Sequence, residues 1–169
     1  MRRRRRACER SGVIVAARER SNVAVAAARN VFVRRRPYAL AMTVVGVDDT
    51  DSRDTGMCTT FVAHRIAATL SDRGFDVERV VLARLNPAVP HKTRGNASLA
   101  VHVDAPEAVA RAVARDVVER RAQVNDPGTN PGVVVAPGDP ADVPASVTEF
   151  ANAAVREFHD PERARELAS

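Results

Sequence analysis

Three carboxylates stand within four residues at the end of a short apolar run: residues 43–47 supply the run, and Asp48, Asp49 and Asp51 follow it. Mg²⁺ prefers hard oxygen ligands and is usually held by one or two carboxylates together with substrate phosphates, so these acids predict a site for a metal-bound polyphosphate. Alternation along an extended loop would place Asp49 and Asp51 on one side and Asp48 on the other. A solvated turn is the alternative, because Asp is a favoured turn residue. The position directly after a predicted buried strand favours the metal site.

A hydroxyl-rich helix start follows at residues 56–60, Gly-Met-Cys-Thr-Thr. Gly56 permits a close backbone approach, and a helix N-terminus offers unpaired N–H groups to an anion. Thr59 or Thr60 would cap the helix, ligate Mg²⁺ or accept a phosphoryl group, and these roles stay open. Cys58 is expected to be a small buried residue. The sequence contains no Walker-type loop, so a standard NTPase site is not predicted.

The connection over residues 84–96 is polar and contains two prolines and three cations, among them Lys92 and Arg94. Lys92 is the only lysine in the chain. Arg and Lys neutralise phosphate, which predicts contact with phosphate or RNA. A rigid loop with a solvated, charged tip is the alternative. His91 has no second ligand nearby, so metal binding by His91 is not expected.

A second loop, residues 126–132, reads Asp-Pro-Gly-Thr-Asn-Pro-Gly and precedes three valines. Its two glycines and two prolines would shape a backbone cradle for a nucleotide. A tight turn before a strand would have the same composition, and this segment taken alone favours the turn.

The hydropathy pattern after Met42 alternates between strand and helix periods. The predicted strands are residues 43–47, 77–85, 97–103 and 133–136, and the predicted helices are residues 57–73, 106–121, 141–158 and a last one from residue 160. The order is therefore β-α-β-β-α-β-α with a further helix start. Its first six elements match the ferredoxin-like split βαβ arrangement, an α/β (α+β) fold, although order alone does not determine which strands pair.

The first 41 residues differ sharply from the rest. They hold 12 arginines and two glutamates, which leaves 14 basic and 19 acidic residues, a net charge of −5, in residues 42–169. An RNA-binding basic arm and an organellar transit segment are two interpretations of this leader. We favour a third, in which translation starts at Met42 and residues 1–41 are a mis-assigned or disordered leader.

Cysteine usage and hydropathy limit the class of protein. Cys8 and Cys58 lie in different regions without a CxxC partner, so neither a disulfide framework nor a zinc site is predicted. No apolar run approaches the roughly 20 residues that a bilayer-spanning helix needs. The sequence predicts a soluble, cytoplasmic protein without a membrane partner.

Four segments, taken in order, carry a family resemblance: G-V-D-D-T-D-S, G-M-C-T-T, R-L-N-P-A-V-P-H-K-T-R-G-N and T-N-P-G-V-V-V. They resemble the amino-terminal region of archaeal tRNA-Ile 2-agmatinylcytidine synthetases. The likeness covers most of residues 42–169 and none of residues 1–41. It implies an ATP-dependent ligase that conjugates agmatine to C2 of the wobble cytidine in the CAU anticodon of tRNA-Ile. ATP phosphorylates the C2 oxygen, and the agmatine amine then displaces the phosphate.

The resemblance also implies roles for individual residues. Asp48, Asp49 and Asp51 would serve the ATP and Mg²⁺ site, and Thr59 would be a phosphorylated residue. The loop that carries Lys92 and Arg94 would face the ATP phosphates or the activated base. The expected nucleotide contacts are Gly46, Thr50, Gly56, Thr60, Gly95, Asn96, Asn130 and Gly132.

Family members are longer and continue into an oligonucleotide-binding β-barrel and a zinc ribbon that grip the tRNA. This chain is therefore expected to be a truncated catalytic region, a split gene product with a separately encoded partner, or a degenerate copy. Two other functions remain open. One is a non-catalytic nucleotide- or RNA-binding module, and the other is a stand-alone ferredoxin-like interaction domain.

Overall fold

The computed structural model describes residues 42–90, 92–93, 95–137, 143–159 and 161–167. The interpretations of the leader (residues 1–41), of His91 and of Arg94 lie outside these residues. Within the described ranges no helix is both long and apolar enough to cross a membrane.

Four strands and four helices follow each other along the described chain. They are β1 (Thr43–Asp48), α1 (Thr59–Asp72), β2 (Asp76–Arg84), β3 (Ala97–Asp104), α2 (Glu107–Arg121), β4 (Gly132–Pro137), α3 (Ala145–Ala154) and α4 (Pro161–Leu167). The strands form one sheet in the order β2-β3-β1-β4, and every neighbouring pair is antiparallel. This order confirms the predicted ferredoxin-like split βαβ fold, because α1 and α2 each connect two parallel strands that a third strand separates.

The two long helices cover one face of the sheet because their apolar residues recur at helical spacing. On α1, Val62, Ile66 and Leu70 are fully buried, and α2 buries Ala110, Val113 and Ala114 in the same way. The inward-facing residues of the strands complete an aliphatic core, namely Val45, Val47, Leu99, Val101 and Val103. Valine, alanine and leucine thus fill the core, as expected from a chain in which aromatics make up 4% of residues.

β1 is a central strand, paired with β3 on one side and β4 on the other. Its last two residues meet the start of β4, because Val47 lies opposite Val133 and Asp48 lies opposite Gly132. The loop that leaves β1 therefore emerges beside the loop that enters β4. This pairing brings the loop after β1 and the loop before β4 to the same end of the sheet.

The predicted helix over residues 141–158 is wrong in its extent. α3 begins at Ala145, and its N-cap, Pro144, has a ψ of 141° that lies outside the helical region. A residue before proline is kept out of the helical region, so Val143 cannot continue a helix into Pro144. At the other end, Val155 caps the helix. Residues 141 and 142 lie outside the described part of the chain.

Candidate active site

The acidic loop, residues 48–52, turns sharply at its second residue. Asp49 has a φ of 46°, a left-handed conformation that Asp adopts more readily than most residues. The alternation expected for an extended loop, with Asp49 and Asp51 opposite Asp48, is therefore wrong at Asp49. Instead the loop folds so that consecutive carboxylates influence each other's ionisation.

Two of the three acids resist losing their protons. Burial, followed by the negative charge of Asp49, raises the pKa of Asp48 to about 7, although the Gly132 backbone N–H partly offsets the shift. Burial also raises the pKa of Asp49. The Asn130 N–H opposes that rise, whereas the charges of Asp51 and Asp126 add to it. A pair of neighbouring carboxylates whose pKa values are raised in this way favours a bound cation, because the cation would compensate both the burial and the mutual repulsion.

Asp51 is anchored by both of the predicted loops. Its side chain is 8% exposed, and Oδ1 accepts a hydrogen bond from the Thr93 hydroxyl at 3.0 Å. Its backbone carbonyl accepts one from the buried Thr129 hydroxyl at 2.7 Å. Asp51 therefore joins the acidic loop to residues 92–96 on one side and to residues 126–132 on the other.

The start of α1 joins the same loop through hydroxyl groups. Thr59 is 7% exposed, and its Oγ1 lies 3.1 Å from Thr50 Oγ1 and accepts the Thr50 backbone N–H at 3.4 Å. Thr60 is exposed. Thr59 is therefore a buried connector in this conformation, and phosphoryl transfer to it would require the Thr50 contacts to open.

Cys58 is exposed, so the expectation of a small buried residue is wrong. It is the N-cap residue of α1. A hydrogen bond with the Thr60 side chain lowers the pKa of the Cys58 thiol, and the backbone N–H groups of Thr60 and Phe61 act in the same direction. The cysteine stands outside the core because α1 buries the face that begins with Thr59.

A tight turn, residues 52–56, closes the acidic loop. The Ser52 N–H donates to the Gly56 carbonyl at 2.8 Å, and Gly56 has a φ of 87°. The Ser52 hydroxyl donates to the Asp126 carboxylate and accepts the backbone N–H groups of Asp54 and Thr55 at 3.1 Å. The first of these bonds lowers the pKa of Asp126. The turn thus depends on a residue from the 126–132 loop.

Arg53 is a site residue that the sequence reasoning missed. Its Nε donates to the Thr93 carbonyl at 2.9 Å, and a terminal nitrogen donates to the Lys92 carbonyl at 2.8 Å. The Lys92 ammonium itself donates to the Pro87 carbonyl within its own loop. Arg53 therefore holds the backbone of Lys92 next to the acidic loop. The Lys92 side chain is bonded within its own loop instead.

The remaining predicted contacts fall into two groups. Asn130 and Gly132 lie against the acids, with Asn130 N–H donating to Asp49 Oδ2 at 2.7 Å. Asn96 instead closes the base of its own loop, because its side-chain amide donates to the Asn86 carbonyl at 3.0 Å. Gly46 is buried within β1. Gly95 is exposed in the 92–96 segment.

The donor set can be compared with what Mg²⁺ requires. Among the described residues, no group of three or more His, Cys, Asp or Glu side chains is arranged to hold a metal ion. Asp48 and Asp49 still offer two neighbouring carboxylates, the number that Mg²⁺ commonly uses when phosphates and waters complete its shell. The residues fit a metal held jointly with a polyphosphate and do not form a closed protein cage.

The fold is a ferredoxin-like sandwich, and the acidic loop that follows its central strand β1 is contacted by three other segments. These features define a candidate phosphate-binding domain. Residues 44–113 match the family described as the TiaS TCKD domain. These residues therefore belong to the TiaS TCKD domain family.

Curated relatives carry the name TiaS and are described as tRNA-Ile 2-agmatinylcytidine synthetases. The protein from Haloquadratum walsbyi is 50% identical over 119 residues, which are 70% of this chain and 26% of that protein. The protein from Methanopyrus kandleri is 44% identical over 124 residues, 72% of this chain and 28% of the relative. The chain thus spans about a quarter of the length of these relatives.

Solved structures agree. A complex of TiaS with an isoleucine tRNA and ATP superimposes with a TM-score of 0.67 at 32% identity, over 75% of this chain and 30% of that one. A complex of TiaS with the same tRNA, AMPCPP and agmatine gives a TM-score of 0.66 at 27% identity with the same coverage. The ferredoxin-like arrangement is therefore shared with TiaS structures.

Proposed function

We propose that this chain carries the ATP-binding and phosphoryl-transfer region of an enzyme that joins agmatine to C2 of the wobble cytidine in the CAU anticodon of tRNA-Ile. ATP would phosphorylate the C2 oxygen, and the agmatine amine would then displace the phosphate. The names of the relatives support this reaction, as do the tRNA, ATP and agmatine of the complexes that the similar structures contain. We expect the enzyme to act in the cytoplasm.

One observation carries the proposal: the other three motif segments all contact the acidic loop of the first. Thr59 contacts Thr50, Thr93 contacts Asp51, and Asn130 contacts Asp49. Segments that lie far apart in sequence and meet at one acidic loop indicate a shared ligand, because a solvated turn needs no such support.

The acids and the backbone N–H groups that bond them have different proposed roles. The Asn130 N–H bonds the Asp49 carboxylate and the Gly132 N–H bonds that of Asp48. These two carboxylates would hold Mg²⁺, with Asp51 close to them in the loop. Mg²⁺, when bound, neutralises charge on the transferring phosphate. Phosphoryl transfer relies mainly on such positioning and charge neutralisation, so the protein needs no covalent step at these acids.

The cationic loop would complete the charge balance. Lys92 and Arg94 would neutralise the ATP phosphates or face the activated base. Lys92 reaches that role only if its ammonium leaves the Pro87 carbonyl. The proposed nucleotide contacts are Gly46, Thr50, Gly56, Thr60, Gly95, Asn96, Asn130 and Gly132, and Thr59 is proposed as a phosphorylated residue.

A calorimetric titration of the 169-residue chain with Mg·ATP tests the proposal. Asp49→Asn is the sharpest variant, because Asn also tolerates the left-handed backbone and keeps an oxygen that can accept the Asn130 N–H. We expect the affinity for Mg·ATP to fall by about tenfold or more, the loss of roughly one charge-assisted contact. Asp72→Asn, an exposed acid at the end of α1, is the control. An unchanged affinity in Asp49→Asn contradicts the metal assignment.

A second candidate function is a non-catalytic nucleotide- or RNA-binding module, because the chain spans only about a quarter of its relatives. Incubation with tRNA-Ile carrying the CAU anticodon, ATP and agmatine separates the two, with mass spectrometry of the digested tRNA as the readout. Agmatinylated cytidine supports the ligase. ATP binding without this product supports the module, unless a separately encoded β-barrel and zinc-ribbon part restores the reaction.

A further inference from the structure

A cleft of about 310 Å³ lies between α1 and α2. Its lining consists of three arginines, one threonine and one valine, namely Arg65, Thr69, Val117, Arg120 and Arg121. None of these lining residues is a carboxylate, whereas residues 42–169 as a whole carry a net charge of −5. The cleft is therefore a local concentration of positive charge on an acidic body.

Two of these arginines are not neutralised by described neighbours. Arg120 pairs with Asp116 one turn earlier on α2. Among the described residues, no ion pair involves the side chain of Arg65 or of Arg121, and both residues are exposed. Guanidinium groups form planar, bidentate hydrogen bonds with phosphate, so two such groups across a cleft suit an anion with more than one phosphate group.

Both helices that line the cleft are connected to the acidic loop. Arg121 is the last residue of α2, and two residues later the Gln123 N–H donates to the Thr50 carbonyl at 3.0 Å. The Thr55 hydroxyl donates to Gln123 Oε1 at 3.0 Å. On the other wall, Arg65 lies six residues after Thr59, about 9 Å along the helix axis. A polymer whose base reaches the acidic loop can therefore place neighbouring phosphates near the arginines.

We propose that this cleft binds the phosphodiester backbone of the RNA beside the base at the acidic loop, with Arg65 and Arg121 as the phosphate contacts. This inference rests on the proposed function, which supplies an RNA substrate. The Thr69 hydroxyl donates to the Arg65 carbonyl at 2.7 Å and is not assigned to phosphate. Backbone contacts of this kind position a nucleic acid without reading its sequence.

The test compares two double variants of the 169-residue chain that remove equal charge. Arg65→Ala/Arg121→Ala removes the two proposed phosphate contacts from the cleft. The control, Arg111→Ala/Arg115→Ala, removes two exposed arginines of α2 that pair with Glu107 and Glu119. Binding of a tRNA-Ile transcript is measured at several salt concentrations. The cleft variant is expected to lose about tenfold in affinity, and the slope of log affinity against log salt is expected to fall by about 0.7 for each lost phosphate contact.

Two further measurements separate the possible failures. Mg·ATP affinity should stay unchanged in the cleft variant, and circular dichroism melting should show that it folds. If Asp49→Asn leaves the Mg·ATP affinity unchanged while the cleft variant alone loses RNA affinity, the ATP assignment is overturned and the cleft assignment stands. Equal loss of RNA affinity in both double variants, no loss in either, or no RNA binding by the parent chain would overturn the inference.

Discussion

The Asn130 backbone N–H donates to the Asp49 carboxylate at 2.7 Å, across 81 residues of sequence. This bond orients the carboxylate from outside its own loop, and Asp49 meets it with a left-handed backbone. The orientation of the acid thus depends on the loop before β4. Because β4 pairs directly with β1, a change in that pairing register would move the donor away from the acid.

Asp48 predicts an unusual dependence of stability on pH. Its folded pKa of about 7 lies above the ordinary value of 3.8, so between these values the folded state holds a proton that the unfolded state has lost. Raising the pH through this range therefore destabilises the fold. Asp48→Asn should raise the free energy of unfolding at about pH 8, and the gain should vanish near pH 4.

Urea unfolding across this pH range measures the effect. Asp72→Asn, which changes an exposed acid on α1, is the control and should follow the parent curve. Parallel curves for Asp48→Asn and the parent protein would show that burial of Asp48 carries no proton-linked cost.

Thr59 and Thr60 offer a matched pair of isosteric substitutions. Thr59→Val removes the buried hydroxyl that contacts Thr50 Oγ1 and N–H, so it should cost about 1–3 kcal/mol of unfolding free energy, the penalty for unsatisfied buried groups. Thr60→Val changes an exposed residue and should cost no more than about 0.5 kcal/mol. Chemical denaturation of both variants provides the comparison, and equal costs would contradict the connector role of Thr59.

Substitution of Arg53 should loosen the connection that contains Lys92 and Thr93 more than it lowers the global stability of the fold. Its two bonds to the Lys92 and Thr93 carbonyls are exposed, so Arg53→Ala should change the free energy of unfolding by less than about 1.5 kcal/mol. Hydrogen exchange in residues 85–96 should nevertheless accelerate, and Mg·ATP affinity should fall. Arg111→Ala is the control on an exposed helix face. Unchanged exchange in that loop would remove Arg53 from the site.

Substitutions at Gly56 and Gly95 test two different effects of adding a Cβ atom, namely the cost of a left-handed backbone and the cost of limited space. Gly56 has a φ of 87° and open space where a Cβ would lie, so Gly56→Ala should cost about 1–2 kcal/mol from the left-handed conformation alone. At Gly95 a Cβ would meet only the end of the Arg84 side chain, at 3.1 Å, and this flexible chain can move. Thermal unfolding should rank Gly56→Ala well below Gly95→Ala, and the reverse order would refute the conformational argument.

The fold was predictable because its signals are local. Short valine-rich runs mark β1 and β4. The four-residue spacings of Ile66 with Leu70 and of Val113 with Val117 mark the buried faces of α1 and α2. The strand order agrees with the predicted split βαβ arrangement, since short right-handed connections leave few alternatives. The end of α3 was missed because its pattern continues past Val155 while the backbone does not.

The segments of the candidate site could be picked out from the sequence, but the contacts among them could not. Arg53 escaped notice because its partners lie 39 and 40 residues away and are backbone carbonyls, which carry no residue signature. The Ser52–Asp126 hydrogen bond spans 74 residues and depends on the pairing register of β1 with β4. Asp48, Asp49 and Asp51 as metal ligands remain a prediction.

The interleaved strand order also dictates when the site can exist during synthesis. A ribosome delivers Asp48 and Asp49 early, yet the N–H groups of Asn130 and Gly132 that orient them come more than eighty residues later. Until that stretch has left the exit tunnel and β4 has docked, the nascent chain holds acids without their orienting donors. Nucleotide affinity should therefore arise in a single step, after β4 is made, and should report completion of the sheet.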